Sequence, residues 1–366
     1  MLHSEPKSLT LGISGFRYED LHEPEGLKRL HDTFLAELAA GHADLHREYR
    51  DYRASLGEGM APTAVSDLLV RLAPHVGDFV ARLFGVGAVR DRQREAVRRE
   101  LDTVFRFRTE IVGKLDKHFK GVTASDWDAV AVRSALEVLI RCAFPDAATD
   151  SDEERRVATV AATLLDWSSA LGADDRDAHS AVQQLRARLA ADVRACEIFA
   201  DARACADDRE LVEALLETIR RWAQLARTDP VFRAEVAGWV SFKEPEKRDF
   251  DALVPHDVEA RDGFDVWKGP TRTRRRRDGF ALTDKRHDQR HILYEIEHCI
   301  YCHDRDTDSC SKGMRNRKDG TYKVNPLGVS ITGCPLEEKI SEMHLVKRQG
   351  DSVGALALVE IGRAHV

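Results

Sequence analysis

The sequence predicts an all-α fold, and three observations carry that expectation. Between residues 25 and 245 apolar residues recur at helical spacing with charges between them. Almost no stretch alternates with period two. Proline and aspartate stand where helix starts accept them, and the gaps between the periodic segments are short, so neighbouring helices should run antiparallel.

Residues 1–24 are mixed in character and read as an irregular N-terminus. Pro24 suits a first helical turn, and Leu27, Leu30, Phe34, Leu38 and Leu45 follow with helical periodicity. A second helix starts near Pro62. Leu68, Leu69 and Leu72 form its apolar face, which Val76, Phe79, Val80 and Leu83 continue. Pro74 should kink or split it, because proline removes a backbone donor and crowds the preceding turn. A third helix is expected from about Arg90 to His118, with Val104, Phe105, Ile111 and Leu115 inward. Ser125 or Asp126 would cap a fourth, carrying Val132, Leu136, Leu139 and Ile140. Further helical patterns cover about 152–170, 177–197 and 207–227. Asp229-Pro230 then reads as a cap and first position for one more, bearing Phe232, Val236 and Trp239.

Composition shifts near Lys243. Residues 246–284, with Pro255, Pro270, several glycines and the run Arg274 to Arg277, read as a basic linker or extended arm. From Lys285 a helical pattern (Ile292, Leu293, Ile296) leads into Cys299. Leu336, Ile340, Met343, Leu345 and Val346 suggest another helix, and Asp351 to Leu358 starts a last one.

With 366 residues there is room for about two domains. Hydrophobic residues make up 43% and charged residues 33%, as in a soluble globular protein. A net charge of −7 excludes the molecule as a whole from polyanion binding. Met1-Leu-His-Ser-Glu-Pro-Lys has no apolar signal core, and no apolar run approaches the roughly 20 residues that span a bilayer. A cytoplasmic protein without membrane or nucleic-acid partners is expected. Glu360-Ile-Gly-Arg-Ala-His-Val366 resembles the in-frame translation of a short-read sequencing adapter. Residues 360–366 therefore read as a scar rather than a natural terminus, and the chain as the amino-terminal piece of a longer protein.

Four of the seven cysteines lie between Cys299 and Cys334, spaced as C-x2-C, then Cys310, then Cys334-Pro335. Thiols this dense, without a secretory signal, read as ligands rather than disulfides. Soft thiolates select an iron–sulfur cluster or zinc over hard cations. Cys299, Cys302, Cys310 and Cys334 could hold a [4Fe-4S] cluster, or a structural zinc, alone or three of them with His298 or His303. Spacing leaves the two open, and the Cys-Pro step favours iron–sulfur.

Three segments carry a more specific likeness: Cys299 through Gly313, Asn325-Pro-Leu-Gly-Val, and Gly333-Cys-Pro through Met343. Together with Arg277-Asp-Gly-Phe-Ala-Leu-Thr-Asp284 and Gly350-Asp-Ser-Val-Gly-Ala-Leu-Ala357, they resemble glutamate synthase small-subunit-like flavoprotein oxidoreductases. The likeness is narrower still to the long bacterial FAD-dependent pyridine nucleotide-disulfide oxidoreductases. It covers roughly 275–359, with a weaker echo at Gly15-Phe-Arg-Tyr-Glu-Asp-Leu21. It implies a partial α-helical ferredoxin-like iron–sulfur domain over 285–359 with Cys299, Cys302, Cys310 and Cys334 as cluster ligands. FAD and NAD(P)H domains would follow, absent here, as would the second group of cysteines. The expected function is then the electron-transfer portion of an iron–sulfur oxidoreductase, passing electrons between those flavin domains and an acceptor protein. The alternative is a non-enzymatic zinc-binding interaction module.

Other features read as structural. Gly85-Val-Gly87 lacks a preceding strand and a third glycine, so it is a helix-to-helix turn. Arg274 to Arg277 read as a solvated arm before a phosphate grip. Cys142 reads as a core residue, Cys196 and Cys205 as free thiols, and Trp127, Trp167, Trp222 and Trp239 as core. His298 and His303 read as supporting or surface groups. No catalytic triad, H-E-x-x-H or acid–base carboxylate pair is apparent.

Overall fold

A computed structural model describes residues 11–122, 126–245, 247–271, 279–280, 286–305 and 308–362. The chain divides into two compact units. One takes the described residues up to Val97 and those after Glu246, the other takes Arg98–Pro245.

The first unit begins with α1 (Pro24–Gly41), α2 (Ala43–Ser55), α3 (Pro62–Leu83) and α4 (Gly87–Glu100). Pro24 and Pro62 stand at helix starts, where a missing N–H costs nothing. Leu56 ends α2 in the left-handed conformation (φ 54°). Pro74 does not split α3, which runs on to Leu83. Leu68, Leu69, Leu72 and Ala73 are fully buried on this helix.

Among the described residues of the second unit every regular element is a helix. Wider π-type turns at Leu101–Phe105 and Phe107–Ile111 lead to α5 (Leu115–His118). Then come α6 (Ala129–Ala143), α7 (Pro145–Ala148), α8 (Glu153–Gly172), α9 (Arg176–Ala191), α10 (Val193–Ile198), α11 (Ala200–Ala204), α12 (Asp208–Thr228) and α13 (Pro230–Glu235). Aspartates start most of these helices. Asp128, Asp152, Asp175, Asp192, Asp207 and Asp229 each accept backbone N–H bonds from the first turn. The expected Asp229 cap is present, whereas α6 is capped by Asp128 rather than Asp126, and Ser125 lies outside the described residues. Helix α12 buries Leu211, Val212, Leu215, Leu216 and Ile219 and packs against α6 and α8.

The chain returns to the first unit as a hairpin, β1 (Asp257–Arg261) and β2 (Phe264–Lys268). Asp257 pairs with Lys268 and Arg261 with Phe264, around Asp262 (φ 52°) and Gly263 (φ 85°). Two successive positive φ angles match the mirror-image turn that follows strand twist. Last come α14 (Gln289–Glu297), α15 (Ser309–Lys312), α16 (Ile340–Arg348) and α17 (Ser352–Gly362). Val346, Ala355 and Leu358 join Phe34, Leu38, Leu68, Leu69, Leu72 and Phe79 in one core. The last helices therefore complete the first ones rather than forming a domain of their own.

That packing corrects the expected fold class. Among the described residues the protein is mainly helical with one two-stranded sheet, and those between 285 and 359 show no ferredoxin-like iron–sulfur domain. Among the described residues no helix is long and apolar enough to cross a membrane. The arginines at 272 and 274–277, and residues 363–366 of the adapter-like tail, lie outside the described residues.

A buried ion pair pins α4 to the start of α17. The side chains of Arg90 and Asp351 are 4% and 3% exposed. Arg90 Nε donates to Asp351 Oδ1 at 2.9 Å, and the Gly354 amide donates to the same oxygen at 2.8 Å. Arg94 reaches Asp351 Oδ2 at 3.2 Å. Gly77 makes this approach possible. A Cβ there would lie 2.6 Å from Arg90 Nη2 and 3.0 Å from the Gly354 nitrogen.

Candidate functional site

The cysteine-bearing segment belongs to the first unit and is built on three supports. Helix α14 buries Leu293, Tyr294 and Ile296 and hands the chain over at Cys299, whose amide donates to Ile296 O at 2.9 Å. Tyr301 then takes a left-handed backbone (φ 48°), and Cys302–Arg305 form a single 3₁₀ turn. Asp308 caps α15, accepting from the Ser311 amide at 3.2 Å and from the Ser311 hydroxyl. Beyond Gly313 an excursion carries two isolated bridges, Arg315 with Tyr322 and Val324 with Ser330. Asn325 Oδ1 organises its tip by accepting the amides of Leu327 (2.9 Å) and Val329 (3.0 Å). The excursion closes where the Cys334 amide donates to Cys310 O at 2.8 Å. Gly313 and Gly333 permit this closure. A Cβ on Gly333 would lie 2.4 Å from Gly313 N and 2.6 Å from Ser311 O.

The third support is α16, which delivers Ser341 and Glu342, 1% and 0% exposed. Glu342 Oε1 accepts from the Ser66 hydroxyl at 2.5 Å, while its Oε2 has no hydrogen-bond partner among the described residues. Ser341 Oγ lies 2.5 Å from Nδ1 of His303, which is 5% exposed. His303 Nε2 lies 3.0 Å from Asp304 Oδ1. On the other side of the hydroxyl, the half-buried Cys299 thiol donates to Ser341 Oγ at 3.8 Å.

These contacts make one chain of thiol, hydroxyl, imidazole and carboxylate. An ionised carboxylate only accepts, so the neutral ring carries its proton on Nε2, facing Asp304. Nδ1 is then the acceptor for the Ser341 hydroxyl, whose oxygen accepts from Cys299. Every donor points the same way. The arrangement can carry a proton from Cys299 to His303 and leave an imidazolium beside Asp304.

The neighbouring thiols have hydrogen-bond partners and burial of their own. Cys302 is buried, and its sulfur accepts the Ser309 amide at 3.3 Å. Cys310 is exposed. Partial burial raises its thiol above the ordinary value, and the charges of Asp308, Cys302, Cys299 and Glu342 add to the rise. Burial also lowers His344. Beside Cys334, a hollow of about 410 Å³ is bordered by Tyr52, Lys312, Pro335, Glu337 and Lys339.

The expected [4Fe-4S] centre on Cys299, Cys302, Cys310 and Cys334 is not supported. Among the described residues no three His, Cys, Asp or Glu side chains converge so as to hold a metal ion. The sulfurs of Cys299 and Cys302 meet different partners, the Ser341 hydroxyl and the Ser309 amide. The zinc alternative fails for the same reason. His298 is exposed, and both His303 nitrogens are engaged by Ser341 and Asp304.

Sequence reasoning missed Ser341 and Asp304 and took His303 for a supporting or surface group. The Cys-His-Asp run at 302–304 was the available signal for half of the chain. Nothing local to residue 341 marks it as a partner 38 positions away from His303.

Fold and site together define a mainly helical protein with a thiol-bearing polar cluster at its C-terminal helices. Residues 11–85, which hold α1 to α3, match the model of the RP005 N-terminal alpha-helical domain. The chain is also similar to the uncharacterized protein RP005 of Rickettsia prowazekii (strain Madrid E). The two are 24% identical over 333 residues, covering 88% of this chain and 94% of that protein. No solved structure matches. These findings overturn the likeness to glutamate synthase small-subunit-like oxidoreductases, since neither match is to such an enzyme. The expected electron-transfer function, and the FAD and NAD(P)H that the likeness implied, fall with it.

Proposed function

We propose that the protein acts through covalent chemistry at Cys299, a nucleophilic thiol that gives up its proton through Ser341 to His303. The observation that supports this is the unbroken, unidirectional chain from Cys299 Sγ to Asp304 Oδ1. A thiolate, not a thiol, is the attacking species, and a nearby base raises its population at neutral pH. Burial of His303 and Ser341 holds the relay in one geometry, while Cys299 keeps access to solvent. A reducing compartment such as the cytoplasm suits a chain whose seven cysteines form no disulfide.

Alkylation of the native protein with iodoacetamide, followed by peptide mapping, tests the assignment. Cys299 should react about tenfold faster at neutral pH than Cys196, which has no such relay. Ser341→Ala and His303→Asn should each remove most of that advantage. Equal rates at Cys299 and Cys196 in the native protein would refute the assignment without recourse to any variant.

A further inference from the structure

The ribbon β1–β2 stands apart from the chemistry of Cys299 and carries an independent observation. All five residues of β1 and four of the five in β2 are exposed. Val258 is 54% exposed, Phe264 75% and Trp267 68%, and the Trp267 ring stacks on His256. A lone two-stranded ribbon is marginal in water, and an open strand edge is a template for pairing.

The register says which groups form the edges. Arg261 and Phe264 flank the two-residue turn and form a hydrogen-bonded pair. Such pairs alternate along an antiparallel ladder, so Ala260–Asp265 and Val258–Trp267 are the non-hydrogen-bonded pairs. The backbone groups of Val258 and Ala260 therefore point outward on the β1 edge, and those of Asp265 and Trp267 outward on the β2 edge.

We infer that β1 pairs antiparallel with β1 of a second copy of this chain, across a two-fold axis at Ala260. With the axis there, Ala260 faces its counterpart as a hydrogen-bonded pair. Glu259 of each copy then faces Arg261 of the other, giving two opposite-charge cross-strand pairs. Moving the axis to Glu259 would set two glutamates against each other. On the β2 edge, an axis at Val266 would oppose Phe264 to Lys268 and bring no opposite charges together. The β1 edge alone combines outward backbone groups with charge complementarity. The product is a four-stranded antiparallel sheet in which Val258, Ala260 and Trp267 of both copies share one face, because side chains alternate along a strand.

Sedimentation velocity on the full chain over a concentration series reads the association. Glu259→Arg alone and Arg261→Glu alone should each weaken the dimer about tenfold, since two attractive pairs become two repulsive ones. The combined exchange of both residues, made together with Lys268→Glu because Lys268 pairs with Glu259 within each ribbon, should restore it. Ala260→Cys should give a covalent dimer under mild oxidation, mapped to position 260, because hydrogen-bonded antiparallel pairs hold their Cα atoms about 5.5 Å apart. A chain that stays monomeric at its solubility limit overturns the inference. So does a dimer indifferent to both single reversals, or one that the combined exchange fails to restore.

Discussion

Asp351 shows what one buried charge does in this protein. Burial by itself would push its carboxyl upward. Hydrogen bonds from Arg90 and the Gly354 amide, with the charges of Arg90 and Arg94, outweigh that and leave it below the ordinary value. Removing the carboxylate would leave Arg90, 4% exposed, to Asp78 and the Pro74 carbonyl, without its one buried counter-charge. Breaking a buried pair from one side costs about 3–5 kcal/mol. Asp351→Ala should therefore lower the unfolding free energy by about that amount, measured by chemical denaturation. Ser341 and His303 make a different point about single residues. Cys302-His303-Asp304 are neighbours in sequence and could be read together. Ser341 enters only because α16 folds back beside them, so the middle of the proton chain could not be seen in the linear sequence.

Single elements divide along the same line. The helices of residues 98–245 were legible from apolar periodicity, and the start at Asp229 from its step into Pro230, whereas the caps at Asp152, Asp175 and Asp207, which fill backbone donors that the first turn leaves unpaired, were not singled out. Of the two outcomes expected at Pro74, a kink or a split, the split does not occur. Helix α3 continues past it with Leu68, Leu69 and Leu72 wholly buried, which outweighs one missing hydrogen bond. The hairpin was under-read, although Asp262-Gly263 is a strong turn signal. Strand β2 places apolar residues on both faces, and the alternation of β1 (Asp-Val-Glu-Ala-Arg) lasts only five residues, so the period-two signal is short. In the cysteine loop, the close contact of Gly313 with Gly333 sets the geometry at Cys334. Gly333 has φ 88° and its missing Cβ would strike backbone, so Gly333→Ala should cost more than about 1 kcal/mol locally. Faster alkylation of Cys334 and loss of amide protection between residues 310 and 334 would report it. Unchanged protection would show that the contact is not what holds the loop closed.

For the molecule as a whole, acid is the sharpest probe, because both units rest on carboxylates held below their ordinary values. In the second unit Asp150 is held down to about 2, chiefly by its hydrogen bonds from Arg155. Asp208 is also lowered: burial pushes it up, but His179, Arg186 and Gln183 outweigh that. A carboxyl lowered on folding adds stability above its unfolded value near pH 4, and that stability disappears as pH falls through the folded value. Circular dichroism should show a stable helical protein above about pH 5 that loses stability progressively between about pH 4 and pH 2. A flat profile across that range would remove the role given to these carboxylates. The sequence by itself determined the helices, their aspartate starts and a reserve of clustered thiols, because periodicity, capping and spacing act over a few residues. Only the tertiary structure decided that α16 and α17 share a core with α1 to α3. It also decided that Cys299 meets the Ser341 hydroxyl, which in turn meets the His303 ring. Those outcomes depend on which distant surfaces bury one another, and no local pattern records that choice.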